Sequence, residues 1–326
     1  MSKKIGLIGC GYWGPNIVRN IQKLPGVDLE FVVDQDEQVI KKLPAVSFYQ
    51  DTTIALERHS HVDGIIIATP ISTHYKLAKQ ILENNTSVLI QKPMAMSVVE
   101  CEELEDIATK KNLSLMVAHT FLFTPAVRKL KELVQNNSLG KLKHFDSVRI
   151  NLGLFQRDSN VVWDLAPHDF SILNYLTDNK KPAFVSAVGV SHTPKGNADV
   201  VNVSLGYEDG FSAHIHLSWF SPIKVRQIII NGDNKMCVYD DNKSSEKISV
   251  YDKAVSYSDN VFDYRSGDMF SPKLQNAEAI GEEIKHFCEC IDGKECISGA
   301  PLGTEVVRLI QATNKSIAQR GAPVNV

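Results

Sequence analysis

The chain has 326 residues, 43 % of them hydrophobic and 22 % charged, with a formal net charge of −3. That is ordinary globular composition, enough for a sizeable core and, at roughly 100–200 residues per domain, for two domains. It offers no basic field to hold a nucleic-acid backbone, and no apolar run approaches the roughly 18 residues of a membrane span.

The N-terminus, Met1-Ser2-Lys3-Lys4-Ile5, enters a buried-strand pattern at once and leaves no room for a signal peptide. Six scattered cysteines (10, 101, 237, 288, 290 and 296) read as free thiols of a reducing, cytoplasmic compartment. Cys288-Glu289-Cys290 lacks the spacing of a zinc or redox pair, and no histidine cluster suggests a metal, so none is expected.

Residues 4–9 read as a short strand, followed by Gly11-Tyr12-Trp13-Gly14-Pro15 and a helix carrying Ile17, Val18, Ile21 and Leu24 on one face. Strands are expected at 29–34, 46–49, 62–69, 87–91 and 113–119, and helices at 37–43, 73–83 and 98–111. Apolar runs alternating with helices of about 10–15 residues predict a parallel sheet covered on both faces. Pro125 suits the first turn of a helix that continues through 127–134. The pattern then changes. Strands at 143–151, 184–191, 199–207, 211–219, 225–231 and 236–239 are separated by turn signals. Several of them alternate, as in His214-Ile215-His216-Leu217, with both histidines on the solvent side. Helices are expected at 164–176, 277–291 and 304–320, and polar loops at 240–246 and 256–272. The fold class is α/β: an N-terminal Rossmann-type doubly wound parallel sheet over 1–122, then an α+β substrate-binding and oligomerisation domain over 123–326 with an open-faced, mostly antiparallel sheet.

Gly9-Cys10-Gly11-Tyr12-Trp13-Gly14 is a G-x-G-x-x-G between a strand and a helix, and Asp34 lies 20 residues beyond Gly14 at the end of the second strand. The glycines permit a tight turn, close pyrophosphate approach and close helix packing, while the helix N-terminus attracts phosphate. Asp34 suits the ribose hydroxyls and disfavours a 2′-phosphate, and Gln35, Asp36 and Glu37 offer no arginine to receive one. The expected cofactor is NAD.

Ala68-Thr69-Pro70-Ile71-Ser72-Thr73-His74 and Gln91-Lys92-Pro93 add more. Together with Asp164 and His168 they resemble, over the whole chain, the A-T-P-x-x-x-H, E-K-P and D-x-x-x-H motifs of the glucose–fructose oxidoreductase / inositol dehydrogenase / MocA family. The resemblance implies a homodimer or homotetramer assembled through the open sheet face. It also places Thr69, Pro70 and His74 near the cofactor, alongside Tyr12, Trp13, Gln91 and Lys92. Gln91 stands where the family has glutamate, removing a carboxylate that tunes the lysine.

Lys92 ends a strand where ligands of open α/β sheets bind, though a solvated edge lysine is the plainer fate. Asp164 alone reads as a helix N-cap and His168, one turn before Ile172, as a core histidine. The same pair, four apart, shares one helical face. With the resemblance, His168 is the general acid/base, Lys92 steadies the alkoxide, and Asp164 fixes His168 or a substrate hydroxyl.

Ala118-His119-Thr120-Phe121, Thr124-Pro125-Ala126-Val127-Arg128 and Trp163-Asp164 look most like the branch acting at carbon 3 of nucleotide-linked sugars. That resemblance makes His119, Arg149, Arg157 and Trp163 substrate-binding candidates. The two arginines would hold a diphosphate, with solvated loop arginines as the alternative. A dehydrogenase of free sugars or inositols shares the catalytic residues, and a non-catalytic NAD-binding regulator shares the fold.

Overall fold

The structure is a computed structural model that describes all residues except 1, 40–42, 44, 45, 154, 156–158 and 195. The chain divides into two compact units, Met1–Thr124 with Ala277–Val307, and Pro125–Asn276 with Arg308–Val326.

The first unit is built on a six-stranded sheet. Its strands are β1 (Lys3–Ile8), β2 (Val27–Val33), β3 (Ser47–Tyr49), β4 (Gly64–Ile67), β5 (Ser87–Gln91) and β6 (Leu115–Ala118), in the order β3-β2-β1-β4-β5-β6. Every ladder is parallel. β4 and β6 are buried throughout, as continuous apolar runs covered on both faces must be. The strand order reverses between β1 and β4, so the turns that leave their carboxyl ends flank a crevice.

Helices α1 (Gly14–Lys23), α2 (Thr52–Arg58), α3 (His74–Glu83) and α4 (Val98–Lys110) connect these strands. α2 is absent from the sequence-based expectation because only Ala55 and Leu56 are buried, too few to set a period. Its start is fixed by Asp51, whose carboxylate accepts from Thr53 and Ile54 N–H at 2.7 and 3.2 Å. The helix expected at 37–43 falls partly outside the described residues.

The expected boundary gave everything after 122 to the second domain. The structure differs: α7 (Ala279–Ile291) and the chain that follows it to Val307 belong to the first unit. The Phe287 ring is fully buried and lies 2.8 Å from where a Cβ on Gly64 would sit, so the glycine at the start of β4 makes room for it. A helix packing on a distant sheet leaves the same amphipathic pattern as one packing on its neighbours, which is why sequence position misled.

In the second unit, β7 (Leu142–Leu152), β8 (Phe184–Val190), β9 (Val200–Gly206), β10 (Ser212–Ser218), β11 (Phe220–Gly232), β12 (Met236–Asp240), β13 (Ile248–Ser258), β14 (Val261–Phe270) and β15 (Val324–Asn325) form one nine-stranded sheet. Its order is β14-β13-β12-β11-β7-β10-β9-β8-β15, antiparallel except where β10 pairs with β7. Residues 256–272, expected as a polar loop, are mostly a hairpin. Asp259 and Asn260 have φ of 52° and 64°, the left-handed pair that a tight hairpin turn requires. All ten residues of β14 are exposed, so no buried face marks it as a strand.

α5 (Pro125–Gln135), α6 (Val161–Leu176) and the second half of α8 (Ala300–Ala318) complete this unit. α6 covers the face formed by Phe145, Ala213, Ile215 and Leu217, leaving His214 and Asn202 on the open side. Among the described residues no helix is long and apolar enough to cross a membrane.

One buried acid in the first unit makes a measurable prediction. Glu283 of α7 is 2 % exposed, accepts from Thr120 Oγ1 at 3.1 Å, and is pushed up to about 8 by burial. The folded chain thus keeps a proton that the unfolded chain releases above about pH 4.5. The stability this contributes is present at low pH and is lost as pH rises toward 8. Urea unfolding from pH 5 to 8 should show stability falling by roughly 3–4 kcal/mol more in the wild type than in Glu283→Gln, at 1.36 kcal/mol per pK unit. Parallel curves for the two proteins would refute the assignment.

Candidate functional site

A cleft of about 880 Å3 opens at the carboxyl ends of β1 and β4, bounded by Gly9, Gly11 and Asp34 on one side and Thr69 and Pro70 on the other. Tyr12, 81 % exposed, and Trp13 meet edge to face at 5.5 Å and stand at its rim. Seven of the residues expected to bind the cofactor therefore line one space.

The three glycines do different jobs. Gly9 has φ +89°, and a Cβ there would lie 2.6 Å from the Ala68 carbonyl oxygen. Gly14 is tight against its own turn, where a Cβ would lie 2.8 Å from Cys10 Sγ. A Cβ on Gly11 would meet nothing within 4 Å and would only fill the cleft. Packing explains Gly9 and Gly14; only an approaching ligand explains Gly11. No side chain caps the first turn of α1, and Pro15 stands at its start. An uncapped helix start presents N–H donors to phosphate oxygens.

Asp34 is fixed at the edge of this turn. Its Oδ2 accepts the Cys10 N–H at 2.5 Å and its Oδ1 accepts the Asp36 N–H at 2.9 Å, and each oxygen keeps a lone pair for a further donor. Thr73 Oγ1 donates to the Pro70 carbonyl, so the Thr69 hydroxyl, 2.7 Å away, donates to Thr73. These residues fit a dinucleotide: open floor, helix start, and a carboxylate at the ribose position. Lys76 of α3 also lines the cleft, at a position no motif in the sequence marks.

His74 lies behind the cleft. Its ring is buried, with Nδ1 2.9 Å from the Pro93 carbonyl and Nε2 2.9 Å from that of Thr69. Burial pushes its pKa down and outweighs the two carbonyls that favour the cation. A neutral ring carries one N–H and donates to only one of these carbonyls, so it sits between the turn after β4 and the turn after β5 and hydrogen-bonds one of them.

Gln91 and Lys92 close β5, both half-buried, with Gln91 paired to Ala118 of β6. The Lys92 charge reaches His119, which is 1 % exposed, and burial with that charge pushes the imidazole down to about 3. His119 is neutral at physiological pH, and neither ring nitrogen has a protein hydrogen-bond partner.

In the second unit α6 begins three residues before its expected start. Asn160 caps it, accepting from Val162 and Trp163 N–H, so Asp164 is no N-cap and Pro167 lies inside the helix. Trp163, Asp164 and His168 are half-buried, whereas Ala166, Pro167, Asp169 and Phe170 are buried. His168 therefore sits on the more open face with Asp164, which counts against a core histidine. Trp219 Nε1 donates to Asp164 Oδ2 at 2.9 Å and holds its carboxylate. Reading the sequence missed Trp219, because strand and helix meet only in the fold.

Arg149 requires a correction. Alternation along β7 turns it inward with Phe145 and Ser147, and it is 3 % exposed. Its Nε and Nη2 bind Asp169 at 2.7 and 3.2 Å, and Ser147 Oγ donates to the same carboxylate at 2.6 Å. It is a buried structural cation and is not available to a diphosphate. Arg157 lies outside the described residues.

The profile described as an oxidoreductase family with an NAD-binding Rossmann fold matches residues 3–119, and the GFO/IDH/MocA C-terminal domain matches residues 127–238. The scyllo-inositol 2-dehydrogenase (NAD(+)) of Bacillus subtilis (strain 168) is 23 % identical, covering 99 % of this chain and 95 % of its own. The UDP-N-acetylglucosamine 3-dehydrogenase of Acidithiobacillus ferrooxidans is also 23 % identical, covering 91 % and 95 %. An oxidoreductase from Agrobacterium radiobacter, solved with NAD+, L-tartaric acid and magnesium, shares the fold at a TM-score of 0.85, with 17 % identity over 100 % of this chain and 98 % of that one. With both domains matched in order, this chain belongs to the Gfo/Idh/MocA oxidoreductase family, and its first domain is an NAD-binding Rossmann domain.

Proposed function

We propose that this enzyme oxidises or reduces a secondary alcohol of a sugar with NAD, and that the sugar is a UDP- or dTDP-linked hexose or N-acetylhexosamine reacting at carbon 3. The observation that carries the reading is the pair Asp164 and His168 on the one open face of an otherwise buried helix, with Asp164 oriented by Trp219. Bound NAD supplies the hydride acceptor or donor. His168 takes the hydroxyl proton on oxidation and returns it on reduction. Lys92 donates to the substrate oxygen as it gains negative charge. Asp164 fixes the imidazole or a neighbouring sugar hydroxyl, and His119 offers a neutral ring to the substrate. Gln91, uncharged, offers the lysine no carboxylate at that position.

A second reading has its own support. Burial of Arg149 removes one of the two diphosphate anchors, which favours a compact free sugar or inositol; the inositol relative matches as well as the nucleotide-sugar one. We also propose a homodimer or homotetramer through the open sheet face, where Val261, Phe262, Tyr264 and Met269 are exposed. Sedimentation equilibrium should find no monomer at micromolar concentration, and a monomer would remove this proposal.

Asp34 should set cofactor choice. Like-charge repulsion predicts NAD(H) binding at least about tenfold tighter than NADP(H). Calorimetry giving equal or tighter binding of NADPH would overturn it.

The reaction is tested by NADH absorbance on a panel of nucleotide sugars, free sugars and inositols. On the best substrate, Lys92→Met should lower turnover about a hundredfold or more and His168→Ala by about 10²–10⁴, with NAD affinity nearly unchanged. Wild-type turnover in both variants would dismiss the assigned roles. Turnover of an inositol or hexose, with nucleotide sugars neither reacting nor competing, would select the second reading.

A further inference from the structure

Near the end of α7, away from the residues of the cofactor cleft, three soft donors come together. His286 and Cys290 lie one helical turn apart on α7. The helix ends at Ile291, Gly293 turns the chain with φ +95°, and Cys296 returns beside Cys290. His286 Nε2, Cys290 Sγ and Cys296 Sγ lie within 4.8 Å of one another. The Nε2 to Cys290 Sγ separation is 3.4 Å. A tetrahedral zinc ion, with bonds of about 2.0–2.1 Å to nitrogen and 2.3 Å to sulfur, holds such donors roughly 3.5–3.8 Å apart.

The orientation of the histidine points the same way. Ile297 N–H donates to Nε2 at 3.1 Å, so Nε2 carries a lone pair and the ring proton sits on Nδ1. Nδ1 faces the Glu289 carboxylate at 3.6 Å, and Glu289 is itself held by Lys294 at 2.6 Å. A neutral imidazole backed by a carboxylate, with its unprotonated Nε2 beside two thiols, resembles the arrangement that metal-bound histidines adopt. His286 and Cys290 are each 4 % exposed, whereas Cys296 is half-buried and leaves a route in. Cys288 is not among the three donors that converge.

We propose that His286, Cys290 and Cys296 bind one thiophilic divalent ion, Zn2+, that pins the loop after α7 to the helix. Two thiolates cancel the charge of the ion, so the buried site stays neutral. Binding replaces the two thiol protons, which leave to solvent, and draws the Nε2 lone pair from the Ile297 N–H. A water completes the fourth position. The spacing H-x3-C-x5-C lies outside the usual C-x2–4-C pattern, because one cysteine is on a helix and the other beyond its turn.

Cobalt is the probe. The untagged full chain, reduced and freed of metal, is titrated with Co2+ and then with Zn2+. The expected result is a sulfur-to-cobalt charge-transfer band and tetrahedral d–d bands that saturate at one equivalent and are erased by zinc. Outer-sphere partners alone change metal affinity about 10–100-fold, so Cys296→Ser and His286→Gln should weaken binding by about a hundredfold or more. Cys288→Ser should bind normally. Should His286→Gln fail to fold, the half-buried Cys296→Ser carries the test, with NAD affinity as its folding control. Absence of the charge-transfer band with all thiols reduced, or an unchanged band in Cys296→Ser, would overturn the proposal.

Discussion

The left-handed backbone at Gly9 is the constraint on which the first unit depends. A side chain there would strike the Ala68 carbonyl, so β1 and β4 approach as closely as they do only with glycine between them. The same turn is tied to β2 through the Cys10 N–H and the Asp34 carboxylate, and to α1 through the close contact of Gly14 with Cys10. Three strand ends and a helix start are thereby held around one opening. The shape of the cleft follows from backbone packing within the unit, and Gly11 is the one glycine of the motif whose missing side chain serves the space itself.

In the second unit the comparable constraint is ionic. Arg149, Asp169 and Ser147 form a buried cluster that joins β7 to α6. Buried ion pairs add little net stability over a well-packed apolar substitute, but losing one partner strands a charge, at a cost of about 3–5 kcal/mol. Such a cluster specifies orientation. Asp169 points into the sheet, so its neighbour His168, about 100° round the helix, is directed to the open side together with Asp164. Trp219 then fixes the Asp164 carboxylate from β10's end of the sheet.

Burial also decides where charge resides near the end of β5. His74 and His119 are both held neutral, chiefly by desolvation. The positive charge there comes from Lys92 and not from the histidines. Glu283 is pushed toward its protonated form by the same effect.

What the sequence by itself determined is whatever local period and turn chemistry encode. The alternation of strand and helix through β6, the glycine turn with Asp34, and the pairing of Asp164 with His168 on one helical face all follow from spacing along the chain. What only the tertiary structure decided depends on partners distant in sequence. α7 packs with the first unit because Gly64 makes room for Phe287. Arg149 is a structural cation because Asp169 waits beneath it, and His74 is buried between two turns because the Pro93 and Thr69 carbonyls close round its ring. Every residue of β14 is exposed, so no burial pattern could announce that strand. Residue type and period report which face is apolar; they carry no record of which far-off group meets that face, and that meeting separates a binding side chain from a structural one.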